Sequence, residues 1–178
     1  MNSRFRINVI SIVVLAILWE IAGRTLDSVL IPPLSHIGSA WLRLLLSGKL
    51  LSNLVMSLGT LAAGFFLAVI LGIIVGLLMG RFREVEHFLD LYINASMSAP
   101  MTAFVPVLIL WFGLGVESRI AVVFLFAVFV IVINTMTGVK QVDRTFLEMA
   151  RSFGAKETEV FFKIILPAAM PAIMAGVR

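Results

Sequence analysis

Long uncharged runs separated by short polar segments dominate the sequence. These runs cover residues 7–19, 50–80, 91–116 and 120–139. About 20 apolar residues cross a bilayer as a helix, so the pattern predicts four spans, at about 7–23, 54–80, 91–113 and 120–139. The first run also suits a signal peptide, but no small-residue cleavage site follows it.

Small residues recur at every fourth position of the second run. They are Thr60, Gly64, Ala68, Gly72, Gly76 and Gly80. In lipid, small residues let helix backbones approach closely. We therefore predict that this face packs against another helix of the same chain; the alternative is a dimer contact.

The segment between the first two runs predicts an amphipathic helix at the membrane interface. Ser35 follows the Pro32-Pro33 pair and is the predicted N-cap, and Trp41 is expected at headgroup depth. Two other charged segments, residues 81–90 and the pair Glu117 and Arg119, are predicted to be polar connectors.

The third run contains two prolines and a set of polar residues. Pro100 and Pro106 predict a kinked or broken helix within the membrane. Four residues follow one another at intervals of four and would share one face of a helix: Asn94, Ser98, Thr102 and Pro106. Together with Pro100 and Asn134 they form a predicted solute pathway. The alternative is that the polar groups only bond their own helix and stabilise helix contacts.

Residues 143–167 form the longest polar interval. Their pattern predicts two short amphipathic helices joined at Gly154, with Pro167 ending the second. The apolar face of the second helix is predicted to contain Val160, Phe161, Ile164 and Ile165. Amphipathicity alone also fits a loop helix lying on lipid headgroups.

Composition supports an integral membrane protein. Hydrophobic residues make up 61% of the chain and charged residues 13%, and the mean hydropathy is +1.09. There is no cysteine, and neither a metal site nor a catalytic constellation is evident in the spans. Although the pI is about 10.1, no basic patch with interleaved aromatic residues suggests nucleic-acid binding.

The distribution of Lys and Arg predicts the orientation. With a cytoplasmic N-terminus, ten of these residues lie inside and four outside. This places residues 143–167 in the cytoplasm. No phosphate-binding Gly-x-x-x-x-Gly-Lys-Ser/Thr loop occurs, so ATP hydrolysis is expected on another chain.

The polar interval resembles the cytoplasmic coupling loop of ABC importer permeases. The matching residues are Glu148, Ala150, Gly154, Ile164, Leu166 and Pro167, with Met149 in place of an alanine. The rest of the chain, including Trp111-Phe112-Gly113 and Asn134-Thr135, is similar to the nitrate, sulfonate and taurine branch of these permeases. The resemblance implies an all-α, polytopic, type I importer permease of the bacterial cytoplasmic membrane, forming a single permease domain over residues 1–178.

The resemblance also implies a set of partners and a solute. Two ATPase subunits, a second permease chain and an extracytoplasmic solute-binding protein are expected, in addition to membrane lipid, with no cofactor. The solute is expected to be small and anionic. Gly154 would need a positive φ angle, Glu148 would orient the loop on the ATPase, and Ala150 would permit close helix approach.

Three departures from the family pattern are visible. Thr60 stands where Arg is usual, and Val130 where Pro is usual. Residues 164–177 give only 14 uncharged positions, too few for a span, so the last two spanning helices are expected to be missing and residues 168–178 to form an incomplete segment. The alternative to a transporter is therefore a truncated, non-transporting membrane fragment or scaffold.

Overall fold

The computed structural model describes residues 3–26 and 28–178, and that part of the chain contains only helices and turns. The prediction of an all-α fold is confirmed. The side chain of Arg4, one of the charges used to predict the orientation, lies outside the described part. The chain divides into two compact units, residues 1–56 and 57–178.

The first unit contains α1 (Ser3–Leu26), α2 (Leu34–Leu46) and the start of α3 (Lys49–Arg81). The prediction of Ser35 as N-cap is wrong, because α2 begins at Leu34 with Pro33 in the N-cap position, and no side chain in the described part of the chain caps it. Ser35 instead donates its backbone N–H and its hydroxyl to the Glu20 carboxylate, at 3.0 and 2.7 Å. A carboxylate of α1 thus satisfies a first-turn N–H that a cap would otherwise bond.

The second unit contains the remainder of α3 and all later elements. These are α4 (Arg83–Ser98), a 3-10 turn (Met101–Ala103), α5 (Phe104–Phe112), α6 (Val116–Lys140), α7 (Arg144–Ser152), α8 (Glu157–Val160), a π-helical segment (Phe161–Ile165) and α9 (Leu166–Val177).

Both charged segments that were predicted as connectors are helical. Residues 83–90 form the first half of α4, and Glu117 and Arg119 lie in the first turn of α6. Acidic side chains in a first helical turn interact favourably with the positive end of the helix dipole. Charge by itself therefore did not mark a loop.

The small residues of α3 pack against α6, which confirms the prediction of contact within the chain. Gly72 faces Ile131, Gly76 faces Thr135 and Gly80 faces Val139. Both series advance in the same direction, so the two helices run parallel. A Cβ atom at Gly76 would lie 2.6 Å from the Val132 carbonyl oxygen, so the absence of a side chain sets the distance between the helices.

The helices α6 and α9 pack against each other in antiparallel directions. Gly138 of α6 faces Ala172, and Gly176 of α9 faces Asn134. Beside these contacts lies a buried apolar cluster that connects the end of α6 to α8, the π segment and α9. Its members are Val139, Val160, Ile165, Ala169 and Ile173.

Within the described residues, four helices have the length and composition to cross a membrane. They are Phe5–Leu26, Lys49–Arg81, Val116–Lys140 and Glu157–Val177. A bent pair, Arg83–Ser98 and Met101–Phe112, raises this number to five if it counts as one broken span.

The last of these helices differs from the sequence prediction. Residues 168–178 do not form a short separate segment, because the helix starts at Glu157 and has 21 residues. Pro167 does not end it but lies in the first turn of α9. A proline ring crowds the carbonyl four residues earlier, and here that carbonyl belongs to Lys163, which lies in the π segment.

Candidate functional site

The turn between α7 and α8 has the geometry that the sequence predicts. Gly154 has a φ angle of +81°, a conformation that residues with a Cβ atom adopt at a cost. The Gly154 N–H donates to the Arg151 carbonyl at 2.9 Å, and the Ala155 N–H donates to the Ala150 carbonyl at 3.1 Å. These bonds satisfy carbonyl groups at the end of α7 and reverse the chain within two residues.

The start of α7 is fixed by Asp143. Its carboxylate accepts a hydrogen bond from the Thr145 N–H at 2.8 Å, as an N-cap does. The backbone and side-chain hydrogen bonds from Thr145 hold the pKa of Asp143 below its ordinary value of 3.8. Both ends of this nine-residue helix are therefore defined by local hydrogen bonds.

The six predicted coupling residues divide into two groups. Ala150, Ile164 and Leu166 are half-buried, and Ala150 and Leu166 pack against the apolar cluster around Val160. Glu148 and Pro167 are exposed, and Gly154 forms the turn. The predicted apolar face is confirmed, since Val160 is fully buried and Ile165 is 4% exposed.

An ionic cluster around Glu157 joins this loop to the end of α3. One Glu157 carboxylate oxygen accepts from Arg151 Nε at 2.8 Å, and the other accepts from Arg81 Nη2 at 2.5 Å and from Arg151 at 3.3 Å. The Arg81 guanidinium also lies over the Phe161 ring, 6.0 Å from its centre. The carboxylate raises the pKa of Arg151 above its ordinary value.

A second ionic contact connects α6 to α4. Lys140, the last residue of α6, donates a short hydrogen bond to the Glu86 carboxylate in the first turn of α4. The Glu157 cluster links α7 and α8 to α3, and the Lys140–Glu86 pair links α6 to α4.

The third uncharged run is broken at Pro100 and not at Pro106. Ala99 is extended (φ −76°, ψ 144°), and the helices on either side meet at 88°. Pro106 lies in the first turn of α5, where a missing N–H has little cost. The prediction of a kink at Pro106 is therefore wrong, and the prediction at Pro100 is confirmed.

This bend also contradicts the predicted single face of polar residues. Asn94 and Ser98 lie on α4, Thr102 in the 3-10 turn and Pro106 on α5, so no one helical face contains all four. The regular spacing in the sequence presupposed a continuous helix.

Most of the amide and hydroxyl groups in the predicted pathway bond to neighbouring turns. The Ser98 hydroxyl donates to the Asn94 carbonyl at 2.8 Å, and the Asn134 amide donates to the Val130 carbonyl at 2.8 Å. Asn94 donates to the Asp90 carboxylate at 2.8 Å. The alternative interpretation, in which these polar groups bond their own helix, expects such hydrogen bonds. The solute pathway stays a prediction.

Sequence reasoning missed the role of Glu157 and Arg81. Glu157 was given no role of its own within the polar interval 143–167, and Arg81 was placed in a connector. The six-residue interval between Arg151 and Glu157, with the glycine turn inside it, was a usable signal for their pairing. No local pattern relates Arg81 to a residue 76 positions later. Within the described residues, no group of three or more His, Asp or Glu side chains could hold a metal ion.

Comparison with known proteins identifies the family. Residues 68–178, more than half of the chain, match the family described as binding-protein-dependent transport system inner membrane component. The chain belongs to this family. The permease is thus a multi-pass membrane protein of the ABC transporter type, in a family that is not itself catalytic.

Three relatives align with more than nine-tenths of the permease. A putative aliphatic sulfonates transport permease of Bacillus subtilis is 34% identical over 93% of this chain and 60% of its own length. The taurine transport system permease of Escherichia coli is 31% identical over 93% of this chain and 62% of its own. A formylaminopyrimidine transport permease of Halalkalibacterium halodurans is 31% identical over 92% of this chain and 66% of its own length.

The resemblance to sulfonate and taurine permeases is confirmed by these alignments. The chain spans less than two thirds of the length of each of these three relatives.

Proposed function

We propose that this permease forms part of the membrane pathway of an ATP-driven importer and is coupled to a separate ATPase through residues 143–167. Residues 1–178 would act as a single permease domain in that assembly. The observation that carries the proposal is the Gly154 turn, which fixes α7 against α8 while the Glu157 cluster connects both to α3. A loop held in this way can transmit a displacement to a spanning helix.

The proposed partners follow from the family. The family depends on a binding protein, and two ATPase subunits with a second permease chain would complete the assembly. The loop would face the cytoplasm, with the N-terminus on the same side, as the distribution of Lys and Arg favours.

The coupling mechanism is proposed as a change between two conformations. Closure of the ATPase pair would move α7 and α8 together, because the Gly154 turn and the Arg151–Glu157 pair join them. The Arg81–Glu157 pair would pass that movement to α3. Glu148, Ala150, Ile164, Leu166 and Pro167 would form or support the surface that contacts the ATPase. A partner shifts such an equilibrium only through contacts that differ between the two states.

The proposed solute is a small oxyanion of the sulfonate type. Two of the relatives are named as sulfonate and taurine permeases. A third, which is as identical to this chain (31%) as the taurine permease is, is named for formylaminopyrimidine. The broken helix supports an anion, because no side chain among the described residues caps the 3-10 turn that starts after Pro100. Exposed N–H groups at such a position attract negative charge. Asn94, Ser98, Pro100, Thr102, Pro106 and Asn134 remain the proposed pathway residues.

A substitution at Gly154 tests the coupling proposal. In the full-length protein, Gly154→Asp should abolish copurification of the ATPase and ATP-driven uptake, since the turn requires a positive φ angle. Gly48→Asp and Gly113→Asp are matched controls. Both glycines have positive φ angles, +70° and +75°, and an added Cβ atom meets no atom of the described residues within 4 Å at any of the three positions.

Both controls introduce positive-φ strain away from the predicted coupling residues and should retain ATPase binding; Gly113→Asp is the more severe of the two, since ψ is −176° there, in a region that only glycine adopts readily. Unchanged uptake and copurification in Gly154→Asp would show that the loop is not the coupling element. Equal losses in all three variants would assign the effect to strain alone. Uptake of labelled taurine, compared with a labelled formylaminopyrimidine, tests the solute class separately.

A further inference from the structure

A cleft of about 540 Å³ lies where four helix ends meet in the second unit. Its walls come from the C-terminal ends of α3 and α6 and from the N-terminal ends of α4 and α7. Because α3 and α6 run parallel, their ends reach the same level. The cleft therefore begins where the uncharged runs 50–80 and 120–139 end, which is the depth of lipid headgroups if these helices cross the bilayer.

The lining of the cleft is strongly basic. It includes four permanent cations, Arg81, Arg83, Lys140 and Arg144, and a single carboxylate, Glu86, which leaves a net formal charge of +3 with His87 neutral. Cationic side chains directly beside apolar spans attract anionic headgroups. The charge alone favours an anionic ligand.

Among the described residues, two of the four cations form salt bridges and two do not, although Arg83 is near enough to Glu86 to help lower the pKa of that carboxyl. Lys140 bonds to Glu86, and Arg81 bonds to Glu157, which lies outside the cleft lining. Arg83 and Arg144 form no salt bridge with any residue that the structure describes. Both side chains are exposed, so the two free guanidinium groups are available to a ligand without breaking an existing ion pair.

Four side chains of the cleft lining are apolar. Met79 and Val139 are 1% and 7% exposed and belong to the packed core, and Val142 and Leu147 are half-buried. In addition, no side chain in the described part of the chain caps the N-terminus of α4, and the positive end of this helix dipole adds to the positive charge of the cleft. An amphiphile with an anionic head fits such a combination better than a fully hydrated ion does.

We propose that this cleft binds the phosphate of an anionic phospholipid headgroup, with Arg83 and Arg144 contacting the phosphate and the apolar wall contacting the glycerol and the first acyl carbons. The phosphate chemistry is shared with free inorganic phosphate. The position of the cleft at the end of two apolar runs is what favours the lipid as its source.

Native mass spectrometry of the purified chain in an uncharged detergent tests the proposal with three soluble probes. These are dioctanoyl phosphatidylglycerol, dioctanoyl phosphatidylcholine and inorganic phosphate. The phosphatidylglycerol should bind in preference to the other two. The double variant Arg83→Gln/Arg144→Gln should weaken its affinity about 25-fold, at about fivefold for each cation removed.

Arg43→Gln/Lys49→Gln is the matched control, because it also removes two cations, both from the first unit and outside the cleft lining. It should leave the affinity unchanged. Thermal unfolding of the single variants Arg83→Gln and Arg144→Gln shows whether each is folded, and each should bind about fivefold more weakly.

Three results would overturn the proposal. Equal binding of the two lipids would mean that the cleft does not select anions, and displacement of phosphatidylglycerol by equimolar inorganic phosphate would make free phosphate the ligand. Unchanged lipid affinity in the double variant, with weaker capture of the ATPase, would make the cleft a protein interface.

Discussion

Arg81 at the end of α3 and Glu157 at the start of α8 are 76 positions apart, yet Nη2 of the arginine lies 2.5 Å from the carboxylate. The same carboxylate also accepts two hydrogen bonds from Arg151 of α7. One side chain therefore connects three helices. Half of the Glu157 side chain is exposed (54%), so solvent screens these pairs, and their importance lies in geometry more than in free energy.

Replacing Glu157 with Gln should loosen α7 from α8 and both from α3. The amide keeps the shape of the side chain but cannot pair ionically with either arginine. Hydrogen-exchange protection of the Ala155 and Val160 amides, which bond to Ala150 and Lys156, should fall several-fold. Far-UV circular dichroism should be unchanged, since no helix loses its core contacts.

Glu159→Gln is the control for this change. Glu159 is in the same turn and its ion pair is with Lys163, four residues further along the chain. It also accepts the Lys156 N–H at 3.1 Å, a bond that the amide oxygen of Gln can keep, so the exchange at Ala155 should be unaffected. If both variants behave alike, or if Glu157→Gln exchanges as the parent protein does, Glu157 does not hold the loop to α3.

Gly76→Ala should destabilise the contact between α3 and α6. The added Cβ atom would lie 2.6 Å from both the Val132 carbonyl oxygen and the Thr135 Cβ atom, and overpacking of this kind costs about 1–3 kcal/mol. A lower Tm in detergent measures the effect. Gly59 lies on the same helix, and no atom of the described residues comes within 4 Å of a Cβ added there. Gly59→Ala should instead be stabilising by about 0.5–1 kcal/mol.

Equal Tm values for the two alanine variants would contradict close packing of α3 on α6. A lower Tm for Gly59→Ala alone would place the contact on a different face of α3.

The helices of this chain were largely predictable because their signals are local. The uncharged run 50–80 predicted a spanning helix at α3, and the four-residue period of small residues from Thr60 to Gly80 identified its packing face. The failures also have local causes. Charged first turns at Arg83 and Glu117 were taken for loops, and Pro167 was taken for a helix end although it occupies the first turn of α9.

The candidate site was predictable where a single residue determines the backbone conformation. A glycine between two amphipathic helices led directly to the positive φ angle at Gly154. The Arg81–Glu157 pair was not predictable, since it depends on how α3 and the loop pack in three dimensions. The prediction of a single polar face from Asn94 to Pro106 was wrong for a related reason. The angle of the bend at Pro100, 88°, depends on the surrounding structure and not on the local sequence alone.

Thr135→Val should stabilise the protein by about 1 kcal/mol. Thr135 is fully buried between α3 and α6, and its hydroxyl finds no hydrogen-bond partner among the described residues. Valine has nearly the same shape and leaves no unsatisfied polar atom. Thermal unfolding in detergent measures the change.

Thr60→Val provides the comparison. Thr60 is 7% exposed, and its hydroxyl donates to the Ser57 carbonyl at 2.9 Å. Its replacement should therefore be neutral or mildly destabilising. A lower Tm for Thr135→Val would mean that the hydroxyl has a partner in solution, such as a bound water.

Acid should release the N-terminus of α7 through Asp143. Hydrogen bonds from Thr145 hold the pKa of this carboxyl below its ordinary value of 3.8. A lowered folded-state pKa means that the stabilisation is complete above the unfolded pKa and is lost as the pH falls through the folded one. Protection factors of the first α7 amides, corrected for intrinsic exchange, should thus be constant from neutral pH to about pH 4 and should fall below it.

Asp143→Asn keeps an acceptor oxygen without a titratable proton and should remove the part of the acid transition that belongs to α7. An identical acid transition in this variant would assign the effect to other carboxylates, such as Glu157, and Asp143 would not be the group that titrates.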